Sequence, residues 1–429
     1  MSQIKLFGGT RSKPRSVKPE RPKKAKSPLK TITILLLVLA VLEGAYFTCV
    51  YSNIPFIAKW RNIYIQTAME TMRHQWLATA FIPQSVINQA IGDADATLHS
   101  QIGIETTWDS DKNTSSPDST DNPTDNVNNS EEAAFYELFW ELDRASVDAY
   151  IERHPEVMDS GWDQLCINEA GLDDDGTDIY TTMGEQVLAI DVPNQILLVR
   201  VEGEGYKGVL AVAKDPSRLS VKNSSMLGSA GQLAGTIAQN NGGVLAMTAS
   251  TFIDVDAAGN EGKGNGGILA GYAMSDGVGT GYHMGPGNKR LELREDNRMY
   301  IVDVTSPVAD DTTDAVEFMP ALIVDGTILT NDPGFSLYSG VNPRSAIGQS
   351  DRGEVLMLVI EGRLIGHSLG APVKECADIL ARHNCMQAMN LDGGTSAIMW
   401  YDGEYVTRCS NTACPEGRPL PNAFVYEGT

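Results

Sequence analysis

The first strong pattern along the chain is an apolar run close to the N-terminus. Glu43 is the one charged residue between Ile32 and Val50. With about 1.5 Å of rise per residue, a helix of this length nearly crosses a hydrocarbon core of about 30 Å. We therefore predict a transmembrane anchor over residues 31–52. A cleaved signal peptide and a lipidated Cys49 are the alternatives. The long basic region before the run and the lack of small residues before Cys49 favour the uncleaved anchor.

Apolar residues at helical spacing continue after the anchor and then give way to a polar stretch. Trp60, Ile63, Tyr64 and Thr67 predict a helical juxtamembrane segment over residues 53–108. Residues 109–129 are almost wholly Asp, Asn, Ser, Thr and Pro, which cannot bury enough apolar surface to fold. We predict a disordered linker over residues 109–130 and a helical connector over residues 131–172.

From residue 173 to 429 the pattern changes to short strands separated by turns. Residues 187–192 and 196–201 flank Pro193-Asn194 and predict a β-hairpin. A helix from Ala230 to Ile237 followed by a strand from Val244 to Thr248 has a counterpart in a helix from Val373 and a strand from Met386 to Leu391. These elements predict an α+β domain with a mixed, partly antiparallel sheet, preceded by a transmembrane helix and a helical stalk. If the two strands are neighbours, residues 248–254 and 392–396 lie at one site.

Charge adds an orientation and excludes one class of partner. The first thirty residues contribute +9 to a net charge of −22, so the remainder carries −31. The positive-inside bias predicts a cytoplasmic basic tail over residues 1–30, a single-pass protein of the cell membrane and an extracellular catalytic domain. An acidic body repels nucleic acid, so no nucleic-acid partner is expected.

The most informative polar stretch follows the last buried strand. Asp392 is followed by Gly393 and Gly394, which let a ligand approach backbone N–H groups, and then by the hydroxyls of Thr395 and Ser396. A plain turn is the alternative interpretation of Asp-Gly-Gly. Arg344 and Arg363 stand next to small or apolar residues, where a guanidinium is costly unless it meets an anion such as phosphate.

Five segments together make the sequence similar to the phosphodiester glycosidase family. They occur in family order within residues 187–425 and read AVEFMPALIVDG (315–326), NPRSAIGQ (342–349), VLMLVIEGR (355–363), SLGAPVKECADIL (368–380) and NLDGGTSAIMWYDG (390–403). The anchored N-terminal part, with TAMETMRHQWLA, resembles membrane-bound members from Gram-positive bacteria. The resemblance implies an extracytoplasmic hydrolase of glycosyl phosphodiesters in envelope or exopolysaccharide glycans.

The resemblance also implies roles for particular residues. Arg344 and Arg363 would bind the departing phosphate, and Asp392 would activate water or stabilise an oxocarbenium-like centre, with Asp254 as a second carboxylate. The expected substrate-binding residues are Gly393, Gly394, Thr395, Ser396, Ser368, Thr248, Asn265 and His367. No cofactor and no metal site are expected, since Asp173–Gly176 and Asp254–Asp256 lack the full ligand pattern of a calcium loop.

One departure from the family pattern leaves a second function open. Where the family usually has Asn, this chain has Thr248, and a usual glycine is Thr251. Asn265-Gly266-Gly267 resembles the family's next glycine-rich segment. The alternative to an enzyme is a non-catalytic glycan-binding or polysaccharide-assembly protein that keeps the fold. The oligomeric state, and whether Cys409 and Cys414 form a disulfide or stay as free thiols, are open from the sequence.

Overall fold

The structure, a computed structural model, describes residues 28–71, 74–92, 94–108, 128–256 and 258–429. The predicted basic tail and the predicted linker lie outside these ranges except for the last three residues of each. The chain divides into two compact units, residues 1–57 and 58–429.

The first unit contains one long helix. Helix α1 (Pro28–Tyr51) includes residues 32–51, which have a mean hydropathy of 2.2 and are long and apolar enough to cross a membrane. Most of its leucine, isoleucine and valine side chains are exposed, which suits a helix surrounded by lipid.

The other helices fall before, between and after groups of strands. They are α2 (Pro55–Met69), α3 (Trp76–Thr79), α4 (Gln84–Ile91), α5 (Ala94–Ser100), α6 (Asn128–Leu138), α7 (Arg144–Arg153), α8 (Ala234–Asn240) and α9 (Val373–Arg382). Helix α7 shows how local sequence sets a boundary, because the Asp143 side chain caps it by accepting a hydrogen bond from the Ser146 N–H.

Nineteen strands occur in the described part of the chain. They are β1 (Cys166–Asn168), β2 (Gln186–Asp191), β3 (Ile196–Gly203), β4 (Tyr206–Ala213), β5 (Leu219–Asn223), β6 (Gly243–Thr248), β7 (Tyr272–Ser275), β8 (Val278–Gly281), β9 (Lys289–Arg294), β10 (Met299–Asp303), β11 (Thr312–Phe318), β12 (Ala321–Val324), β13 (Thr327–Ile328), β14 (Arg344–Ser350), β15 (Val355–Ile360), β16 (Cys385–Leu391), β17 (Met399–Tyr401), β18 (Glu404–Tyr405) and β19 (Asn422–Glu427).

These strands form three sheets. A nine-stranded sheet has the order β1-β2-β3-β4-β15-β14-β16-β12-β13, and two five-stranded sheets have the orders β10-β9-β11-β7-β8 and β18-β17-β6-β19-β5. Within the described residues every paired strand runs antiparallel to its neighbours, including the predicted hairpin β2–β3. The α+β class is therefore confirmed, and the antiparallel pairing extends beyond the part that the sequence predicted.

Two local expectations differ from the structure. Helix α8 begins at Ala234 rather than Ala230, because the Gln232 N–H and C=O pair with Leu420 instead. Strands β6 and β16 lie in different sheets, so they are not neighbours. Residues 392–398 instead carry the chain from β16 to β17, which pairs with β6.

The nine-stranded sheet is buried on both faces. In β15, Met357 and Val359 pack into one hydrophobic cluster with residues of both smaller sheets, whereas Leu356 and Leu358 pack into a second cluster. That second cluster includes side chains of α6, α7 and α9. Alternate residues of a strand point to opposite faces, so a continuous apolar run such as β15 requires cover on both sides.

The predicted connector is tied to the sheet by a buried ion cluster. Lys214 Nζ lies 2.5 Å from Glu141 Oε1 and 2.8 Å from Glu354 Oε1, and all three side chains are buried. The Trp140 indole N–H also donates to Glu354 Oε1, at 2.9 Å. One lysine thus compensates two carboxylates that come from distant parts of the chain.

We expect Lys214→Met to lower the free energy of unfolding by about 3 to 5 kcal/mol, because two carboxylates would stay buried without a countercharge. Lys374→Met is the matched control, since Lys374 forms an exposed pair with Asp378 and should cost less than about 1 kcal/mol. Chemical denaturation of the full chain measures both. Equal losses for the two variants would show that the buried cluster contributes no more than a surface pair.

Candidate active site

Three of the four predicted catalytic residues lie at one end of the nine-stranded sheet, where β14 begins and β15 and β16 end. In the antiparallel register, Arg344 at the start of β14 pairs with Ile360 at the end of β15. Ser345 pairs with Leu391 at the end of β16. Asp392 follows β16 directly and Arg363 comes three residues after β15, so both lie at this end of the sheet.

Two glycines let the chain after Asp392 pass close to its neighbours. A Cβ atom on Gly393 would lie 2.7 Å from the Pro343 carbonyl oxygen, which leaves no room for a side chain. Gly394 has a φ of +62°, and its Cβ would lie 3.3 Å from Nη1 of Arg363. The Arg363 guanidinium therefore lies directly against the loop that carries Asp392.

Burial is the main influence on the Asp392 carboxylate. It raises the pKa of Asp392 to about 6, from an ordinary value of 3.8. A hydrogen bond with the Ser396 side chain and the charge of Arg418 lower the pKa, and the charge of Asp254 raises it further. Asp392 is therefore mostly ionised at pH 7 and takes up a proton in mildly acidic solution.

Three arginines and three carboxylates surround this loop, and two ion pairs are already formed among them. Arg344 Nη2 lies 2.6 Å from Glu70 Oε2. Arg418 binds Asp254 through two contacts, of 2.8 and 2.5 Å. Within the described ranges, Arg363 and Asp392 take part in no ion pair. Among these residues, the glycine loop thus has one cation and one carboxylate beside it that are not committed to an ion pair.

Arg344 is held mainly by the protein itself. It is buried and donates to the carbonyls of Ala371 (3.0 Å), Tyr338 (3.0 Å) and Gly340 (2.8 Å) as well as to Glu70. Its guanidinium also lies 5.2 Å from the centre of the Tyr338 ring. Arg344 therefore anchors the loop before β14. Its Nε and Nη2 donors are used by the protein, and its positive charge acts on the neighbouring Arg363.

The side chain of Arg363 is more exposed to solvent than that of Arg344. Its Nη2 donates to Asn342 Oδ1 (2.9 Å) and to Thr71 Oγ1 (3.1 Å), and its Nε donates to Asn342 Oδ1 (3.3 Å). Nη1 has no hydrogen-bond acceptor within the part of the chain that the structure describes. Burial, and next the charge of Arg344, lower the pKa of Arg363. The open Nη1 edge next to Gly394 is where an incoming anion would gain most from binding.

Asp254 is paired with Arg418, which no sequence pattern indicated. The Arg418 guanidinium, which holds both Asp254 oxygens, also donates to the Gly264 carbonyl (3.0 Å) and lies 4.3 Å from the centre of the Phe252 ring. Gly264 N–H in turn donates to Asp254 Oδ1 (2.7 Å). Asp254 therefore fixes the loop after β6 and adds negative charge near Asp392.

Several buried polar atoms near the ends of β6, β14, β16 and β19 have no hydrogen-bond partner among the described residues. They are Thr248 Oγ1, Ser250 Oγ, Asn422 Nδ2, Ser345 Oγ and Asn390 Oδ1. Thr248 pairs with Ala423 across β6 and β19, and the Ser250 N–H donates to Asn422 Oδ1 (2.9 Å). A buried polar atom without a partner costs about 1 to 3 kcal/mol, so each of these atoms would gain from binding water or a polar ligand.

The remaining predicted site residues have other contacts. Ser368 donates to the Glu361 carbonyl (2.6 Å) and accepts from the Lys207 N–H (3.1 Å), which closes the turn after Arg363. His367 pairs through Nε2 with the Glu361 carboxylate. The Asn265 side chain donates to the Ser229 carbonyl (2.8 Å). The structure gives these three residues contacts that shape loops, and places none of their described hydrogen bonds on Asp392 or Arg363.

Thr395 and the two cysteines lie together beside the glycine loop. The hydroxyl of Thr395 is 3.4 Å from that of Ser410, and Cys409 Sγ is 3.8 Å from the Thr395 carbonyl oxygen. Cys409 and Cys414 are free thiols in the structure. Within the described ranges, no group of three or more His, Cys, Asp or Glu side chains is arranged to hold a metal ion.

Other residues of the site were not found from the sequence. They are Glu70, Thr71, Tyr338, Asn342 and Arg418. Asn342 lies inside a segment that carries the family resemblance, so attention to its amide could have found it. Glu70 and Arg418 meet partners far away along the chain, and no local pattern indicates such contacts.

A comparison with protein families identifies part of the chain. Residues 234–427, just under half of the chain, match the family model described as phosphodiester glycosidase. This segment belongs to the phosphodiester glycosidase family, a class of hydrolases, and the predicted family is confirmed. No curated protein matches the chain.

Three solved structures are similar to part of the chain. The catalytic domain of zebrafish N-acetylglucosamine-1-phosphodiester alpha-N-acetylglucosaminidase, auto-inhibited by its pro-peptide, has a TM-score of 0.44 and 18% identity over 55% of this chain and 82% of its own. A hypothetical protein from Synechocystis has a TM-score of 0.37 and 15% identity over 56% of this chain and 63% of its own. A putative exported protein from Burkholderia pseudomallei K96243 has a TM-score of 0.40 and 13% identity over 52% of this chain and 74% of its own.

We expect Asp392→Asn to stabilise the fold above pH 6. The pKa of Asp392 is higher in the folded chain than the ordinary value, so the folded state loses stability as pH rises from about 4 to about 6. The neutral amide avoids this loss, worth on the order of 2 to 3 kcal/mol. Denaturation of both proteins at pH 4 and pH 7.5 measures it, with exposed Asp402→Asn as the control. If the wild type and Asp392→Asn differ in free energy of unfolding by the same amount at pH 4 and at pH 7.5, burial does not disfavour the ionised form of Asp392.

Proposed function

We propose that the chain is a membrane-tethered, extracytoplasmic hydrolase of glycosyl (sugar-1-phosphate) phosphodiesters in envelope or exopolysaccharide glycans. The observation that carries this proposal is that Arg363 and Asp392, which have no ion pair among the described residues, both lie at the Gly393–Gly394 loop. Membership of residues 234–427 in the phosphodiester glycosidase family supports the same reaction class. A phosphodiester carries one negative charge beside an electrophilic anomeric carbon, which matches a cation and a carboxylate in this arrangement.

In the proposed reaction, water attacks the anomeric carbon and the bond from that carbon to the phosphate oxygen breaks. Asp392 takes the proton from water or stabilises the oxocarbenium-like centre. The leaving group is a phosphate monoester with a second pKa of about 6, so it departs with little help from a general acid. Arg363 binds the phosphate through its open Nη1 edge, and Arg344 adds positive charge from behind.

The polar groups around the loop would bind the sugar. Thr395 and Ser396 supply hydroxyls next to Asp392, and Thr248 supplies one of the unpartnered atoms at the ends of β6 and β19. Asp254, because Arg418 already holds both of its oxygens, is better suited to shape the site than to react.

The proposed location rests on the N-terminal part of the chain. The helix α1 is long and apolar enough to cross a membrane, and the residues before it are strongly basic. The positive-inside bias then favours a cytoplasmic N-terminus and an extracytoplasmic domain.

The test is hydrolysis of sugar-1-phosphate methyl diesters by the full chain, with Asp392→Asn as the key variant and Asp402→Asn as the control. We expect the wild type and the control to release free sugar, with a rate that falls as pH drops below about 6, because Asp392 becomes protonated there. Asp392→Asn should lose at least about 100-fold in kcat, since it keeps the shape and removes the charge.

Two other outcomes would lead to different functions. In water labelled with ¹⁸O, label in the phosphate rather than in the sugar would identify a phosphodiesterase that cuts a P–O bond. Binding of the diester by the wild type without release of sugar would favour the alternative of a non-catalytic glycan-binding protein. The departure at Thr248, together with its unpartnered hydroxyl, is the observation that favours this alternative.

We expect Thr248→Asn to raise kcat/KM by roughly 2- to 13-fold. Asn has a donor and an acceptor on separate atoms, and the neighbouring Ser250 Oγ and Asn422 Nδ2 lack partners, so one more positioned hydrogen bond, of about 0.5 to 1.5 kcal/mol, becomes possible. Thr330→Asn is the matched control, because Thr330 is also buried with an unpartnered hydroxyl. Steady-state kinetics decide the question. An unchanged kcat/KM would remove Thr248 from the site, and a decrease would mean that Thr248 is adapted to a different ligand.

A further inference from the structure

The end of α2 lies against the two arginines of the site. Helix α2 ends at Met69, and Glu70 and Thr71 follow it. Both side chains make hydrogen bonds with residues more than 270 positions away in the chain. This part of the chain lies well before the matched family segment, residues 234–427.

Glu70 holds the loop that precedes β14. Its Oε1 accepts from the Gly340 N–H (2.7 Å), and its Oε2 accepts from Asn342 Nδ2 (3.0 Å) in addition to Arg344. Thr67 Oγ1 accepts from the Val341 N–H (3.0 Å). A Cβ on Gly340 would lie 2.7 Å from the Thr67 nitrogen, so the loop and the helix end are in close contact.

Thr71 and Asn342 together orient Arg363. Thr71 Oγ1 and Asn342 Oδ1 both accept from Nη2 of Arg363, and they lie 3.4 Å from each other. Both acceptors bind Nη2 of the guanidinium, and Nη1 lies next to the Gly394 loop. Nη1 has no hydrogen-bond acceptor among the described residues, so it stays available to an anion.

The charge of Glu70 also makes the arrangement of two arginines possible. Arg344 and Arg363 are close enough for each charge to oppose the other, and the Glu70 carboxylate offsets this repulsion. Among the described residues, this segment binds Nη2 of Arg363 and leaves Nη1 without an acceptor, so these contacts are those of a segment that positions Arg363.

We infer that residues 67–71 at the end of α2 form part of the phosphate-binding site and that Thr71 positions Arg363 for the phosphate of a sugar-1-phosphate diester. This inference rests on the proposed function. Glu70 and Thr71 are positioning residues, because they act through Arg344, Asn342 and Arg363 rather than on the substrate.

The test compares Thr71→Val, Thr71→Ser and the control Thr79→Val in the full chain. Valine keeps the shape of threonine and removes the acceptor for Arg363, whereas serine keeps it. Thr79 is exposed, and its hydroxyl donates to the Gln75 carbonyl (3.2 Å). We measure kcat/KM on a sugar-1-phosphate methyl diester, the Kd for the corresponding sugar 1-phosphate by calorimetry, and the melting temperature.

We expect Thr71→Val to lower kcat/KM by roughly 3- to 10-fold and to raise the Kd by a similar factor, as the loss of one hydrogen bond of typical net strength predicts. Thr71→Ser and Thr79→Val should resemble the wild type, and all melting temperatures should agree closely. The matching change in Kd and the rescue by serine would not follow from a role in stability alone.

Other results separate the two proposals. Equal Kd and kcat/KM for Thr71→Val and the wild type would overturn the inference, and a gain in either would show that the segment inhibits. If the wild type binds the sugar 1-phosphate but does not cleave the diester, the proposed function fails and the Kd series still decides the inference. If the wild type does neither, both fail.

Discussion

Charge compensation at the ends of β14, β15 and β16 is the constraint on which the site depends. A buried ion without a partner is costly, and removing one member of a buried pair typically costs several kcal/mol. Glu70 compensates Arg344 and Asp254 is bound by Arg418, so these four charges are stable where they lie. Arg363 and Asp392 remain without such a pair within the described residues. The folded chain therefore keeps two opposed charges in place that a substrate with both a phosphate and an electrophilic carbon could engage.

The position of Arg363 depends on much more of the chain than the matched family segment. Strand β15, which leads to Arg363, pairs with β14 on one side and with β4 on the other, from Val355 opposite Ala213 to Ile360 opposite Gly208. Strand β4 precedes residue 234, as do β1, β2 and β3 of the same sheet. The sheet that carries the site thus begins at Cys166, and the end of α2 adds a further contact from before the predicted linker.

The sequence could predict the parts of this structure that depend on near neighbours. The apolar run of α1, the Pro193-Asn194 hairpin and the Asp392-Gly393-Gly394 loop all follow from residues that are adjacent in the chain. The start of α8 was misplaced because a long-range pairing of Gln232 with Leu420 replaced a helical turn. For the same reason Glu70 and Arg418 could not be found, since their pairing with Arg344 and Asp254 follows from tertiary packing and leaves no periodic signal. Arg344 and Arg363 were found as costly cations, but only the contacts separate the anchored one from the open one.

The energetics of the leaving group explain why a single free carboxylate is enough for the proposed reaction. Glycosidases that expel a sugar hydroxyl generally use two carboxyl groups, one of them a general acid that protonates the leaving oxygen. A phosphate monoester, with a second pKa of about 6, is already a stable anion near neutral pH and needs no such acid. The pKa of Asp392 is also about 6, so the carboxylate is mostly ionised at pH 7 and able to act on water or on a developing positive charge. Asp254 can then be committed to Arg418 without loss to the chemistry, and the arginines supply the stabilisation that a general acid would otherwise provide.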